Sequence, residues 1–329
     1  MPGLTIHKIE SLNPYLNLAF EDYLFRSGDL QGKQILLLWR NRPCVVLGRF
    51  QNPWMECRIS ELEQAGVDLV RRQSGGGTVY QDLGNLNYTF ISPREDYDKH
   101  NNHKIVISAL EKLGVPCKRS GRNDLITRNL QEVYKFSGSA FKENRDRCFH
   151  HGTLLINSEL AKLNRLLNPV IRNLDCKGIA SHRSKVINLS QIVPELTMQQ
   201  VEAEIKEAFA SFHGQQAVVH NWTEAQLQDK TEVTELAEKF QSSKWRMGET
   251  PRFTQKLQHD FSFGQLKLEL AAHRGEIVDS AFECREVDQV QLADWKACLI
   301  GKAYGSVQLR PDASPEETEF FTWFNQTVS

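Results

Sequence analysis

Long apolar runs are missing from this chain of 329 residues. No stretch approaches the ~18 consecutive apolar residues that a membrane-spanning helix needs. An excess of one charge is missing too. Forty Lys and Arg against 41 Asp and Glu give a formal net charge of −1, and no basic block stands out. That balance speaks against a nucleic-acid-binding protein. Cysteine is sparse: seven are scattered along the chain and none forms a Cys-x-x-Cys pair. They read as reduced thiols in a cytosol-like compartment, not as a disulfide framework or zinc site. The N-terminal residues show neither a signal-peptide core nor an Arg- and Ser-rich presequence. The expected location is the cytoplasm, or the mitochondrial matrix for a eukaryotic source whose presequence is absent from this chain. Repeats and low-complexity segments are absent as well. What is present, 40% hydrophobic and 25% charged residues, is ordinary for a globular protein of one large or two unequal domains.

One stretch carries more information than the rest: Arg71-Arg72-Gln73-Ser74-Gly75-Gly76-Gly77-Thr78-Val79-Tyr80. Glycines accept backbone angles that other residues avoid and let a ligand approach the bare chain. Successive N–H groups on such a turn form a concavity suited to an anion, and a neighbouring Arg72 can grip phosphate or carboxylate with its planar fork. An apolar strand at 67–70 precedes the glycines and a β-friendly run at 78–80 follows them. A Walker loop would need Gly-Lys-Ser/Thr and then a helix, and a dinucleotide fingerprint also needs a helix there. An ordinary glycine-rich hairpin is the plain alternative.

Further motifs follow in order: Gly121-Arg122-Asn123-Asp124, then Lys135-Phe136-Ser137-Gly138-Ser139-Ala140-Phe141-Lys142, then His150-His151-Gly152-Thr153. Together with the Arg-Arg-x-Ser-Gly-Gly-Gly stretch, they resemble the lipoate–protein ligase A family. The resemblance extends from Asn13 to about Asn188 and weakens beyond. It implies an α/β (α+β) fold, with a large biotin/lipoate-ligase-like mixed-sheet domain at 1–243, a hinge at 244–253 and a small C-terminal α+β domain at 254–329. Glycine and proline at 248–251 break the local pattern at the same place.

Local patterns fill in the elements. Residues 14–26 show helical spacing behind an Asn13 cap and a first-turn proline. Two apolar runs, 35–39 and 44–48, read as paired buried strands. A short helix at 58–65, strands at 67–73 and 87–92, and a helix at 104–113 stopped by Gly114 and Pro116 come next. Strands are expected at 124–127, 132–136 and 150–157, followed by a short helix capped by Ser158. An amphipathic helix at 196–212 starts from Thr197. Beyond the hinge, strands at 265–270 and 276–283 precede a helix at 289–299.

The resemblance also implies chemistry: ATP and lipoate give lipoyl-AMP, and the acyl group passes to a lysine of a carrier. The carriers implied are lipoyl domains of 2-oxoacid dehydrogenase E2 subunits and the glycine cleavage H protein. Lys135 is the implied catalytic residue, its ammonium touching both acyl and phosphate oxygens. Arg72, Gly77, Thr78, Val79, Tyr80, Lys135, Asn123 and Asp124 are implied ATP contacts, with Asp124 a candidate for Mg2+. Ser74, Gly76, Lys135, Ser137, Lys142, His151, Thr153 and Trp39 are implied contacts of lipoate or lipoyl-AMP. For Trp39 and Val79 a plain core position is the alternative. Two residues depart from the pattern: Gln81 stands where relatives often carry His, and Lys142 where they often carry Arg. The expected protein is a monomer. The rival is an octanoyl- or lipoyltransferase taking its acyl group from a carrier without ATP, with Cys176, read as a loop cysteine, as its thioester site.

Overall fold

The computed structural model describes residues 3–28, 32–121, 123–129, 131–169, 173–178, 180–181 and 184–328. Its largest sheet has six strands in the order Ser139–Glu143, Arg147–Leu155, Asn85–Pro93, Gln34–Trp39, Leu4–Ile9 and Val218–Trp222. The first four pair antiparallel and the last two join in parallel. Alternation at the centre explains why both faces are covered. Leu36 and Leu38 pack with Val106 and Ile205 on one face, while Ile35, Leu37 and Trp39 pack with Phe20 and Phe240 on the other. Side chains two apart share a face of a strand. The covering helices are Lys99–Lys112 and Met198–His213 on the first face, and Pro14–Arg26 and Thr231–Gln241 on the second.

Helix Pro14–Arg26 begins as its sequence implies, with the Asn13 side chain accepting from the N–H groups of Tyr15 and Leu16. Thr197 and Gln200 form a reciprocal capping box for Met198–His213. Ser158 does not cap the helix Leu160–Leu166. Glu159 occupies that position, and the Ser158 backbone is tied to the Asn188 side chain instead.

The two apolar runs expected to pair are strands, yet they lie in different sheets. Both edges of Gln34–Trp39 are already occupied, by Leu4–Ile9 and Asn85–Pro93. Cys44–Leu47 therefore becomes the centre of a second sheet, parallel to Asp68–Arg71 and antiparallel to Val79–Gln81. A third small sheet joins Lys118–Arg119, Leu125–Asn129 and Glu132–Ser137. The fourth is antiparallel: Leu174–Cys176, Phe253–Phe261, Gly264–His273 and Glu276–Glu283.

That fourth sheet takes its first strand from well before residue 244. Its apolar side, with Leu266, Leu268 and Leu270, packs on Trp295 and Phe320 of the helices Gln289–Leu299 and Pro315–Val328. The same core continues without a break into Val45, Leu47, Trp54, Leu69 and Tyr80. Among the described residues no helix is long and apolar enough to cross a membrane.

Candidate functional site

The two adjacent arginines, Arg71 and Arg72, are both buried, and they face different tasks. Successive strand residues point to opposite sides. Arg71 reaches the carbonyl oxygens of Gly48, Arg49, Gln51 and Arg246 and the hydroxyl of Thr250. It thereby clamps residues 246–250 to the turn at 48–51. Trp245 Nε1 returns a bond to the Arg71 carbonyl at 2.7 Å. Arg72 turns the other way and shapes the glycine loop. Its Nη2 donates to Gly75 O and Gly77 O, both at 2.7 Å, its Nη1 to Val46 O and its Nε to Ser74 Oγ. Burial lowers both guanidinium pKa values to about 10, which leaves them charged at neutral pH. The free anion-gripping fork expected of Arg72 is thus engaged by loop oxygens, and the loop owes its shape to that engagement.

A buried chain backs this arrangement. Glu21 Oε1 accepts from Thr89 Oγ1 at 2.6 Å and faces His151 Nδ1 at 2.9 Å, while His151 Nε2 meets Ser74 Oγ at 2.8 Å. A carboxylate can only accept, so it fixes the N–H on Nδ1. In the neutral ring Nε2 then accepts from the Ser74 hydroxyl, whose oxygen accepts from Arg72. Gly76 has φ +85°, and a Cβ there would press on Arg72 Nη2. A Cβ on Gly48 would lie 2.0 Å from the Gly76 carbonyl oxygen. Loop and turn therefore touch backbone to backbone, which only glycine permits.

The opposite wall carries Lys135. Its Nζ pairs with Asp124 Oδ1 at 2.9 Å, both side chains partly exposed. The strand around Lys135 is pinned on its outer side by 185–187, through Lys135 N to Lys185 O and Ile187 N to Lys135 O. Gly138 lets the ammonium lie close: a Cβ there would be 3.2 Å from Nζ. Asn123, in the left-handed region with φ 65°, turns the chain into Asp124. Its carbonyl lies 3.2 Å from His103 Nε2.

Two cavities meet between these walls. One, of about 230 Å³, is lined by Leu18, Trp39, Val46, Val79, Ala140 and the polar Gln81, among others. The other, of about 410 Å³, is bounded by Glu56, Tyr80, Ser137, Leu163, Asn168 and Val186, among others. Thr78, Val79, Lys135, Gly138, Thr153 and Ser181 line both, and so mark the junction.

Of the residues singled out from sequence, Lys135, Asp124, Gly76, Gly77, Thr78, Val79, Trp39, His151, Thr153, Tyr80 and Ser137 line one cavity or both. Arg72 also reaches the first cavity, and Ser74 stands behind its wall. Asn123 contributes a turn, not a lining side chain. Arg122 lies outside the described residues. Lys142 lines neither cavity, because its ammonium is held by Asp22 at 2.8 Å and Gln73 at 2.7 Å over the Phe25 ring. Cys176 is not in a loop: it ends the strand Leu174–Cys176, its sulfur accepts from Gly178 N–H, and it lines neither cavity.

Sequence reasoning missed Glu21, Glu56 and Ser181. Ser181 Oγ accepts from Thr78 N–H at 2.8 Å and Gln51 Nε2 at 3.0 Å, and its own N–H donates to Glu56. Burial raises the Glu56 pKa. Glu21 was findable in principle, as one of three polar residues, with Asn17 and Asp22, buried on a mostly apolar helix. Ser181 had no such signal. Among the described residues no group of three His, Cys, Asp or Glu side chains forms a metal cluster. Mg2+ often takes one or two carboxylates and completes its shell with substrate phosphates and water, and Asp124 suits that pattern.

Comparison with known proteins identifies what the whole chain resembles. Residues 13–210 match the family described as the lipoyl protein ligase A/B catalytic domain. A lipoate-protein ligase A of Bdellovibrio bacteriovorus is 38% identical over 304 residues, 92% of this chain and 89% of that protein. The structure of P. falciparum LipL1 in complex with lipoate superposes with a TM-score of 0.67 at 27% identity, covering 98% of this chain and all of that one. A lipoate-protein ligase A bound with ATP shares the fold, with a TM-score of 0.61 at 24% identity over 76% of this chain and all of that one. With its two cavities meeting at Lys135 and its length aligned almost throughout, the chain belongs to the lipoate–protein ligase A family.

Proposed function

We propose that this protein activates lipoate with ATP to lipoyl-AMP, releasing pyrophosphate, and transfers the lipoyl group to a lysine of a carrier domain. The observation that carries this reading is the junction: Lys135 stands where the cavity that reaches Leu18, Trp39 and Val46 meets the larger one that reaches Glu56, Tyr80 and Ser137. In this reading the acyl chain lies along Trp39, Leu18 and Val46, and the nucleotide lies beside Tyr80, Ser137 and Glu56. The lipoate carboxylate oxygen attacks the α-phosphorus, forming the mixed anhydride as the bond to pyrophosphate breaks. The Lys135 ammonium and the N–H groups of the glycine loop oppose the charge that builds there. In the second step the carrier amine attacks the acyl carbon and AMP leaves. The carrier amine's proton passes to the departing AMP phosphate or to solvent, and Lys135 faces the oxyanion. Bound Mg2+ would be held by Asp124 and would supply charge neutralisation of the phosphates. No enzyme-bound acyl group is needed, since the anhydride is already activated, and Cys176 lines neither cavity.

The proposed carriers are E2 lipoyl domains and the glycine cleavage H protein, with the protein acting as a monomer in the cytoplasm. The segment beyond 244–253 is assigned to the activation step, where water must be kept from the phosphates. ATP–pyrophosphate exchange tests the reading: exchange should appear only when lipoate is added. Exchange that ignores lipoate, or acyl transfer from a carrier donor without ATP, would replace it with the transferase alternative.

A further inference from the structure

We infer that Gln81 selects among acyl substrates, favouring chains that carry a hydrogen-bond acceptor, such as the disulfide sulfur of lipoate, over plain alkyl chains. The inference deepens the function proposed above and rests on it. It starts from how the Gln81 amide is oriented. Asn17 Nδ2 lies 2.9 Å from the carbonyl oxygens of Ser11 and Arg40, groups that can only accept. Its nitrogen is thereby identified, and at 2.9 Å from it Asn41 must turn its Oδ1, since a second NH2 there would set donors against donors. Asn41 must then present its own Nδ2 to Gln81 Oε1, at 2.7 Å. Asn87 Nδ2 donates to the same oxygen at 3.2 Å, its own oxygen accepting from Asn85. Each amide fixes the next, so a choice usually ambiguous between oxygen and nitrogen is settled by backbone carbonyls.

The outcome is that Gln81, only 4% exposed and lining the acyl cavity, has its Oε1 engaged by two amides and its Nε2 left with no protein acceptor among the described residues. Its place along the cavity decides what that donor serves. The residues shared by both cavities end at Val79 on this strand, and Gln81 lines the acyl cavity alone. Two strand residues span about 7 Å, which sets Gln81 that far along the strand from Val79 at the junction, on the side we assign to the acyl chain. An alkyl chain drawn over it strips its water and returns nothing, and buried donors left unpaired oppose binding. A sulfur is a weak acceptor, yet it answers the donor where a methylene does not.

The test compares lipoate with octanoate on the full chain, by calorimetric binding and by kcat/KM in ATP–pyrophosphate exchange. Gln81→Glu, assayed at a pH where the new carboxyl is ionised, keeps an oxygen for Asn41 and Asn87 while removing the donor, and Gln81→Met removes both. The wild type should favour lipoate by about tenfold, and both variants should shrink that ratio to within about threefold, the scale of one unpaired buried donor. A ratio unchanged in Gln81→Glu, even if both acids weaken together, overturns the inference, because the donor would then serve the common carboxylate end. If Gln81→Met does not fold, the Gln81→Glu ratio decides alone. Lipoate binding without ATP exchange sinks the proposed function but leaves the binding ratio as the test of Gln81.

Discussion

The two walls of the site are built on opposite plans. The glycine-loop wall is a closed circuit of side chains, Glu21, His151, Ser74 and Arg72, all buried, ending on loop carbonyls. The facing wall offers one partly exposed ion pair, Lys135 with Asp124. A buried and fully bonded network gives shape and tolerates little change. A half-exposed cation can leave its partner and follow charge as it moves between substrate oxygens. One wall therefore contributes preorganisation and the other contributes response. If that contrast is real, damage to the first should appear mainly in stability, and damage to the second mainly in rate.

Arg72→Ala gives the largest expected effect. It strands the acceptors of Val46, Gly75 and Gly77 and removes a buried cation, and urea unfolding should show a loss of at least ~3 kcal/mol. A loss under ~1 kcal/mol would mean that the loop keeps its shape without this circuit. Lys135→Ala should invert the pattern. Adenylate formation and transfer from supplied lipoyl-AMP should each fall about 100-fold, the cost of one transition-state donor, while unfolding shifts by less than ~1 kcal/mol. Near-normal single turnovers would erase the contrast.

The walls also differ in what stands behind them, and pH sharpens this. Behind the Asp124 turn, His103 and His150 lie with ring centroids 4.6 Å apart, and His150 is wholly buried with neither ring nitrogen hydrogen-bonded. Burial holds the His150 pKa well below 6.5, and the neighbouring His103 and His151 reinforce this. Below pH 6.5 the unfolded ring takes up a proton that the folded ring refuses, so stability falls with pH over that interval. The slope from this one group is up to about 1.4 kcal/mol per pH unit. His150→Phe should flatten the urea-derived stability profile between pH 6.5 and 5 by that amount. His7, His103 and His213, also lowered by burial, add slope of the same sign. An unchanged profile would show that His150 is already solvated. The smallest effect is expected at Cys176, which belongs to neither wall. Cys176→Ser keeps an acceptor for the Gly178 N–H and touches neither cavity, so both half-reactions should stay within about twofold, and intact mass should show no acyl thioester during turnover.

The same contrast explains what the sequence disclosed. Residues that reach the cavity walls from a local motif, such as Lys135 before Ser-Gly-Ser and the glycines after Arg72, were legible because spacing along the chain carries the signal. The elements with strong local cues, the Asn13-capped helix and the Thr197 capping box, were legible for the same reason. Long-range partners were not. Glu21 meets His151 across 130 positions and Ser181 meets Thr78 across 103, and no periodicity encodes such a meeting. Sheet partnership failed likewise: the runs at 35–39 and 44–48 look alike locally, and only the prior occupancy of both sheet edges separates them. The Asp22 and Gln73 partners of Lys142 were not legible, because a motif gives position along a strand but not which groups wait beside it.

The strand Leu174–Cys176 has a mechanical consequence. It is laced to Phe253–Phe261 by three register pairs, and five residues later the same chain presents Ser181 to Thr78 N–H. Five residues stretch to at most roughly 18 Å. The C-terminal sheet is thus on a short leash to the junction of the two cavities. Any excursion longer than the slack must unzip that ladder or pull Ser181 off the glycine loop. The covalent chain alone is enough to carry the tension, with no relay through packed side chains.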